Sequence, residues 1–225
     1  MAEKTSEASM FRDREEAAEK LADALQRRRG SNPLVIAIPR GAVPMGAIVA
    51  RRLGGALDVV LVRKLGARYD PELAIGAVDE TGWTYVAPHA RSVGATSAYI
   101  ESQVARELAT IRERRRRYTP DRGPLDPAGR VVIVVDDGLA TGATMVAALH
   151  ALRARGPREI VCAIPVASHE ALSLVRAYAD EVVCLETPDW FGAVGQAYRS
   201  FPQVSDEEVV EALGAASSPV REQSR

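Results

Sequence analysis

The chain is poor in cysteine, histidine, aromatic residues and net charge, and each shortage narrows the classes of protein that fit it. It has two cysteines and three histidines in 225 residues. Cys162 and Cys184 lie in apolar runs, not in a CxxC pair, so buried reduced thiols are expected rather than a zinc site or a disulfide framework. A net charge of −1 provides no bulk attraction to nucleic acid or to a membrane surface.

Long apolar runs are also missing. No stretch approaches the roughly 20 apolar residues that a membrane helix requires, and residues 1–10 lack the apolar segment of a secretory signal. We therefore expect a cytoplasmic protein that does not span a membrane. Residues 1–9 and 215–225 are rich in Ser, Ala, Glu and Arg, which predicts flexible tails on either side of a single domain at 10–214.

What the chain does contain is a regular alternation of β-branched runs and helical patterns. Short apolar runs predict five strands, at 34–38, 59–62, 131–135, 160–166 and 182–185. Helical spacing lies between them, which is typical of an α/β domain with a mostly parallel sheet flanked by helices.

Two further segments have their own signatures. Residues 73–78 and 83–86 predict a hairpin within a longer flap at about 66–94. A last helix should begin after Ser205, since Ser205 and Glu208 have the spacing of a capping box.

The most apolar run, at 131–135, leads into two carboxylates, a loop of small residues and a helix. Small side chains let backbone N–H groups close around an anion, and the start of the helix adds unpaired donors and a positive dipole end. The segment therefore predicts a phosphate site. Asp136 and Asp137 would repel a bare phosphate, but they suit a ligand that also carries sugar hydroxyls and a metal ion.

Residues 132–144, Val-Ile-Val-Val-Asp-Asp-Gly-Leu-Ala-Thr-Gly-Ala-Thr, resemble the diphosphate-sugar signature of type I phosphoribosyltransferases. The resemblance implies that family's α/β fold, with a flexible flap and a small C-terminal hood at about 186–204. It also implies that Asp136 and Asp137 are catalytic residues that bind the ribose 2- and 3-hydroxyls. The loop that would bind the 5-phosphate consists of Gly138, Leu139, Ala140, Thr141, Gly142, Ala143 and Thr144.

Two positions depart from the family pattern. Ala140 stands where 6-oxopurine transferases carry an aspartate proposed as general base, and Leu-Ala-Thr-Gly at 139–142 is similar to adenine and uracil transferases. Gly138 replaces a bulkier apolar residue, which is expected to loosen the start of the loop.

Cations at two other strand ends complete the expected donor site. Ile-Pro-Arg-Gly-Ala at 38–42 resembles the family's diphosphate loop, which often contains a non-proline cis peptide. Arg40 would contact the diphosphate and Gly41 would permit its close approach. Val-Arg-Lys at 62–64 is similar to adenine transferases and makes Arg63 and Lys64 candidates for the same anion. Taken singly, each motif also fits an ordinary turn or a solvated basic pair.

Fewer sequence signals mark the residues that would contact the acceptor base. Within the flap, Glu72 is the candidate for a carboxylate that faces the base and takes part in catalysis. In the hood, Trp190 and Phe191 are candidates for stacking on a flat base, although either could instead fill the core.

These features predict a Mg²⁺-dependent transfer of phosphoribose from 5-phosphoribosyl-1-diphosphate to a nitrogenous base, as in nucleotide salvage. The products would be a nucleoside 5′-monophosphate and diphosphate. The Mg²⁺ ion would be coordinated mainly by oxygens of the ligand and by water, so no protein residue is assigned as a metal ligand. The alternative is a regulator that senses the diphosphate sugar and contacts nucleic acid or protein through the basic run at 112–117. Nucleic acid is not expected as a partner of the enzyme, and assembly into a homo-oligomer is left open.

Overall fold

A computed structural model describes residues 11–71, 73–189 and 191–217. Its centre is a five-stranded parallel sheet in the order β2-β1-β6-β7-β8. These strands are β1 (Leu34–Ala37), β2 (Ala56–Val59), β6 (Val131–Val135), β7 (Glu159–Val166) and β8 (Glu181–Glu186). Because all of them run in the same direction, their carboxyl ends meet at one edge, where open α/β sheets bind ligands.

A second sheet is antiparallel and has three strands, β3 (Val62–Gly66), β4 (Ala74–Asp79) and β5 (Thr84–Val86). It contains the predicted hairpin. The single strand predicted at 59–62 is wrong, because Val59 ends β2 and Val62 begins β3. Both halves of this run are buried, so apolar periodicity alone does not reveal the change of sheet.

The described part of the chain contains six α-helices: α1 (Arg14–Ala24), α2 (Ala42–Leu53), α3 (Ser97–Tyr118), α4 (Ala143–Arg153), α5 (His169–Val175) and α6 (Asp206–Ser217). Apolar residues of α1, α2 and α6 pack in one core, and those of α4 and α5 pack in another. The parallel sheet separates the two cores, which confirms the predicted fold class. None of these helices has the length and apolar character needed to cross a membrane.

The central strand explains why the signature segment is so apolar. Ile133 and Val135 face the core of α1 and α2, whereas Val132 and Val134 face the core of α4. Strands of parallel sheets are buried on both faces and therefore show continuous rather than alternating hydrophobicity.

The predicted end of the domain needs a small correction. The capping box of α6 is confirmed: the Glu208 N–H donates to Ser205 Oγ at 3.1 Å and the Ser205 N–H donates to Glu208 Oε2 at 2.6 Å. The helix continues to Ser217, so residues 215–217 are helical and not part of a tail. The predicted tail at 1–9 and residues 218–225 lie outside the described part of the chain.

Candidate functional site

Asp136 and Asp137 follow β6 at the carboxyl edge of the sheet, and each has one oxygen bound within the protein. The Asp137 N–H donates to Asp136 Oδ1 at 2.9 Å. Asp137 Oδ2 accepts from Arg14 Nε at 3.0 Å and lies 2.9 Å from Arg14 Nη2. Among described residues, no donor bonds Asp136 Oδ2 or Asp137 Oδ1, and both residues are only partly buried. The pair thus offers two neighbouring acceptor oxygens, the number that two vicinal hydroxyls require.

Burial makes the charge of this pair costly. It raises the pKa of Asp136 well above its usual range, and the negative charge of Asp137 raises that pKa further. Burial also raises the pKa of Asp137, while Arg14 opposes the shift by stabilising the ionised carboxylate. A hydroxylated or cationic ligand would relieve this cost, because it supplies the donors or the positive charge that the site lacks.

The loop after the carboxylates is fastened to the turn between β7 and α5. The Leu139 N–H donates to the Val166 carbonyl at 2.9 Å, and the Ser168 N–H donates to the Leu139 carbonyl at 3.1 Å. Ser168 Oγ donates to the Ala140 carbonyl at 2.9 Å. Gly142, with φ 77°, precedes the first residue of α4. The loop therefore has a fixed path to the N-terminus of a helix, as an anion site requires.

Gly138 has a packing role that the sequence did not reveal. A Cβ at this position would lie 2.6 Å from Val194 Cγ1 and 3.0 Å from Val166 Cγ1. The start of the loop is therefore close-packed against the hood, and the expected loosening by glycine does not occur.

The turn after β1 brings Gly41 against the acidic pair. The Pro39–Arg40 peptide bond is cis, as the resemblance implied. A Cβ on Gly41 would lie 2.0 Å from Asp137 Oδ2, so glycine is required by a carboxylate of the protein itself. Arg40 is partly buried. The hydrogen bond from Tyr118 is the main cause that lowers the pKa of Asp206, and the positive charge of Arg40 contributes to the same shift.

The two cations of β3 have different surroundings. Arg63 Nε donates to Glu107 Oε2 of α3 at 2.8 Å, whereas Lys64 is exposed. Successive side chains of a strand leave opposite faces, so Arg63 and Lys64 start on opposite sides of the sheet. Their binding of one diphosphate remains a prediction.

The flap and the phosphate loop enclose a cleft of about 420 Å³. Leu73, Tyr85 and His89 line it from the flap, and Ala140 and Thr141 line it from the loop. Glu170, Ser173 and Leu174 of α5 line the rest of it, so the segment predicted to close over the donor shares this cleft with the loop and with α5.

Two of the predicted acceptor residues, Glu72 and Trp190, lie outside the described part of the chain. Phe191 is partly buried and packs against the core beside α1 and α2. Its stacking on a base remains a prediction.

Sequence reasoning missed two residues that contact Asp137, Arg14 and Tyr198, and a third, Phe201, that packs on Arg14. Arg14 of α1 contacts Asp137, its guanidinium lies 3.7 Å from the centroid of the Phe201 ring, and Tyr198 Oη donates to the Asp137 carbonyl at 2.6 Å. Burial raises the pKa of the Tyr198 hydroxyl, which stays protonated as a donor. No motif marks these residues, because they come from the two ends of the chain and meet only in the fold.

Comparisons with known proteins agree with this geometry. Residues 8–201 match the phosphoribosyl transferase domain family. A Mycobacterium tuberculosis protein, provisionally named a phosphoribosyl transferase, is 40% identical over 208 residues, which cover 92% of this chain and 47% of that protein. The chain thus spans about half the length of the curated relatives it matches first.

Two further relatives match different shares of this chain. A Thermus thermophilus crystal structure is 46% identical, covers 93% of this chain and all of its own, and has a TM-score of 0.78. A uracil phosphoribosyltransferase of Kineococcus radiotolerans is 43% identical over 61 residues, 27% of this chain and 29% of that protein. With the signature, the carboxyl-edge site and the matched domain in agreement, the chain belongs to the phosphoribosyl transferase family.

Proposed function

We propose that the protein transfers the 5-phosphoribosyl group of 5-phosphoribosyl-1-diphosphate to a nitrogenous base. One observation supports this most strongly. Asp136 and Asp137 each keep one free acceptor oxygen beside a loop that leads into the N-terminus of α4. Paired hydroxyl acceptors next to a phosphate site match the ribose 5-phosphate half of the donor.

The reaction needs positioning and charge stabilisation rather than a covalent intermediate. The bond between C1 and the diphosphate oxygen breaks, and the diphosphate leaves with the electron pair. A nitrogen of the base then bonds to C1 and loses its proton. The negative acidic pair stabilises the positive charge that develops on the ribosyl group, while the loop at 138–144 holds the 5-phosphate.

The remaining predicted residues complete this assignment. Arg40, Arg63 and Lys64 are proposed to bind the departing diphosphate. Glu72 is proposed to face the base, and Trp190 and Phe191 are proposed to stack on it. Closure of the flap would exclude water, which competes with the base for the ribosyl cation.

Mg²⁺ is the proposed cofactor, bound together with the diphosphate. No group of three or more His, Cys, Asp or Glu side chains in the described ranges could hold a metal ion. The ion would be coordinated mainly by oxygens of the ligand and by water, as is common for Mg²⁺ with phosphates. When bound, the ion would neutralise charge on the leaving diphosphate.

The acceptor is an unidentified base. Ala140 supplies no carboxylate at the general-base position, which argues against hypoxanthine and guanine. Nucleotide salvage in the cytoplasm is the proposed setting, and self-association is open.

The regulatory alternative has no observation in its favour. In the basic run at 112–117, Arg115 pairs with Glu80 and Asp58, and Arg117 pairs with Asp206. These two cations therefore form ion pairs within the protein itself.

A panel of bases with labelled 5-phosphoribosyl-1-diphosphate and Mg²⁺, read out as diphosphate release, tests the proposal. We expect one class of base to be converted, and the double variant Asp136→Asn/Asp137→Asn to lose both turnover and donor binding. Asp121→Asn, at an exposed position, is the matched control and should behave like the wild type. No binding of the donor at millimolar concentration, or unchanged binding by the double variant, would contradict the proposal.

A further inference from the structure

Arg14 is the first residue of α1, far from the signature in sequence, yet it is bound to the acidic pair. Its Nε and Nη2 atoms contact Asp137 Oδ2 at 3.0 and 2.9 Å. The side chains of Arg14 and Asp137 are only 13% and 18% exposed. A charge-assisted contact that is largely removed from solvent is among the stronger polar interactions in proteins.

The guanidinium is itself fixed from two other directions. Its Nη1 donates to the Pro202 carbonyl at 2.6 Å, and its plane lies against Phe201, with 3.7 Å between Cζ and the ring centroid. Stacking on an aromatic face and several directed hydrogen bonds together restrict the side chain to one arrangement. The C-terminal segment at 201–202 thus orients Arg14, and Arg14 orients Asp137.

This arrangement decides which oxygen of Asp137 is available. Oδ2 lies between the guanidinium and Gly41, where a Cβ would come within 2.0 Å of it. Oδ1 accepts no hydrogen bond from the described residues, and the Asp137 side chain is not fully buried. We infer that Arg14 is a positioning residue for sugar recognition, which fixes Asp137 so that Oδ1 can accept a ribose hydroxyl. The inference rests on the proposed function, because it names how that same site selects a hydroxylated sugar.

Loss of the guanidinium should affect hydroxyl recognition and leave the phosphate site intact. Asp137 would then be a desolvated carboxylate next to Asp136 without a counter-charge, a state that favours protonation or rotation of the side chain. Either change removes a charged acceptor from the hydroxyls. The phosphate loop is held separately, by bonds to Val166 and Ser168.

Two small ligands separate these effects. Ribose 5-phosphate carries the hydroxyls and the phosphate, whereas tetrahydrofurfuryl phosphate keeps a five-membered ring and the phosphate but has no hydroxyl. Dissociation constants of both are measured by phosphorus NMR titration on the full chain. The variants are Arg14→Met, Arg14→Lys and the control Arg12→Met, since Arg12 lies just before α1 and its side chain is 67% exposed.

We expect the wild type and Arg12→Met to prefer ribose 5-phosphate by about tenfold or more, the range for a hydrogen bond to a charged group. Arg14→Met should reduce this preference to about twofold or less while its affinity for tetrahydrofurfuryl phosphate stays within about twofold of the wild type. Arg14→Lys keeps the charge but not the two-pronged contact, so it should be intermediate.

The outcomes distinguish this inference from the proposed function. A wild type without preference for ribose 5-phosphate contradicts the proposed ribose site itself. A normal wild-type preference that Arg14→Met retains overturns the inference alone, and so does an equal loss of affinity for both ligands, which indicates a merely structural role. If Arg14→Met does not fold, Arg14→Lys decides, and an undiminished preference in that variant overturns the inference.

Discussion

Substituting Gly41 by alanine is the sharpest single test of the site's geometry. The added Cβ would lie 2.0 Å from Asp137 Oδ2 and 3.0 Å from Arg14 Nη2. Since Cβ atoms do not approach other heavy atoms to less than 3.0 Å, Asp137 or the turn must shift by about 1 Å. The substitution adds one methyl group and changes no charge, so its effect comes from displacement.

The size of the effect follows from the bonds that this shift disturbs. Arg14 Nε and Asp137 Oδ2 are 3.0 Å apart, and a separation about 1 Å longer no longer counts as a hydrogen bond. Hydrogen bonds to charged groups contribute about 1.5–3 kcal/mol. We therefore expect Gly41→Ala to weaken binding of 5-phosphoribosyl-1-diphosphate by roughly 10- to 100-fold.

Isothermal titration calorimetry with the donor and Mg²⁺ measures this change directly. Gly123→Ala is the control, because a Cβ at Gly123 would meet no atom within 4 Å, and it should bind like the wild type. If Gly41→Ala binds the donor within twofold of the wild type while remaining folded, Asp137 in its observed position is not part of the donor site, and the reasoning is refuted.

Three further predictions concern the pair, the loop and the basic run. Burial raises the pKa of Asp136, so the folded wild type loses stability as pH rises through that raised pKa. Asp136→Asn should therefore have a higher urea midpoint than the wild type at pH 8. This difference in midpoint should shrink as the pH is lowered toward the ordinary carboxyl pKa, and a difference that stays constant would contradict the prediction. Gly138→Ala should destabilise the protein in thermal unfolding, because its Cβ would lie 2.6 Å from Val194 Cγ1; adding Val194→Ala should restore part of the loss, and strictly additive losses would rule out the contact as the cause. Arg115→Met should cost about 1–3 kcal/mol in urea unfolding, because it removes the hydrogen bonds that Arg115 donates to Glu80 and to the Val59 carbonyl. Arg116→Met, at a side chain that is 77% exposed, should change stability little, and equal effects of the two variants would refute the distinction.

The sequence predicted the elements with strong local signals. The strand at 131–135 and the helix expected after the small-residue loop agree with the structure, because a continuous apolar run and a small-residue loop leave few alternatives. The run at 59–62 was misread, since its residues are buried in both sheets and periodicity carries no mark of the break. The role of Gly138 was misread for a related reason: the atoms that require a glycine there belong to Val166 and Val194.

By itself, the sequence determined the fold class, the family and the segment that carries the acidic pair and the phosphate loop, because those features are contiguous in the chain. Only the tertiary structure decided how the pair is held. Arg14 and Tyr198, from opposite ends of the chain, both contact Asp137, and Phe201 packs on the Arg14 guanidinium. No local pattern encodes a contact across that separation. The physical reason is that a buried carboxylate needs a counter-charge from whichever residue the packing brings near, and packing is a property of the whole fold.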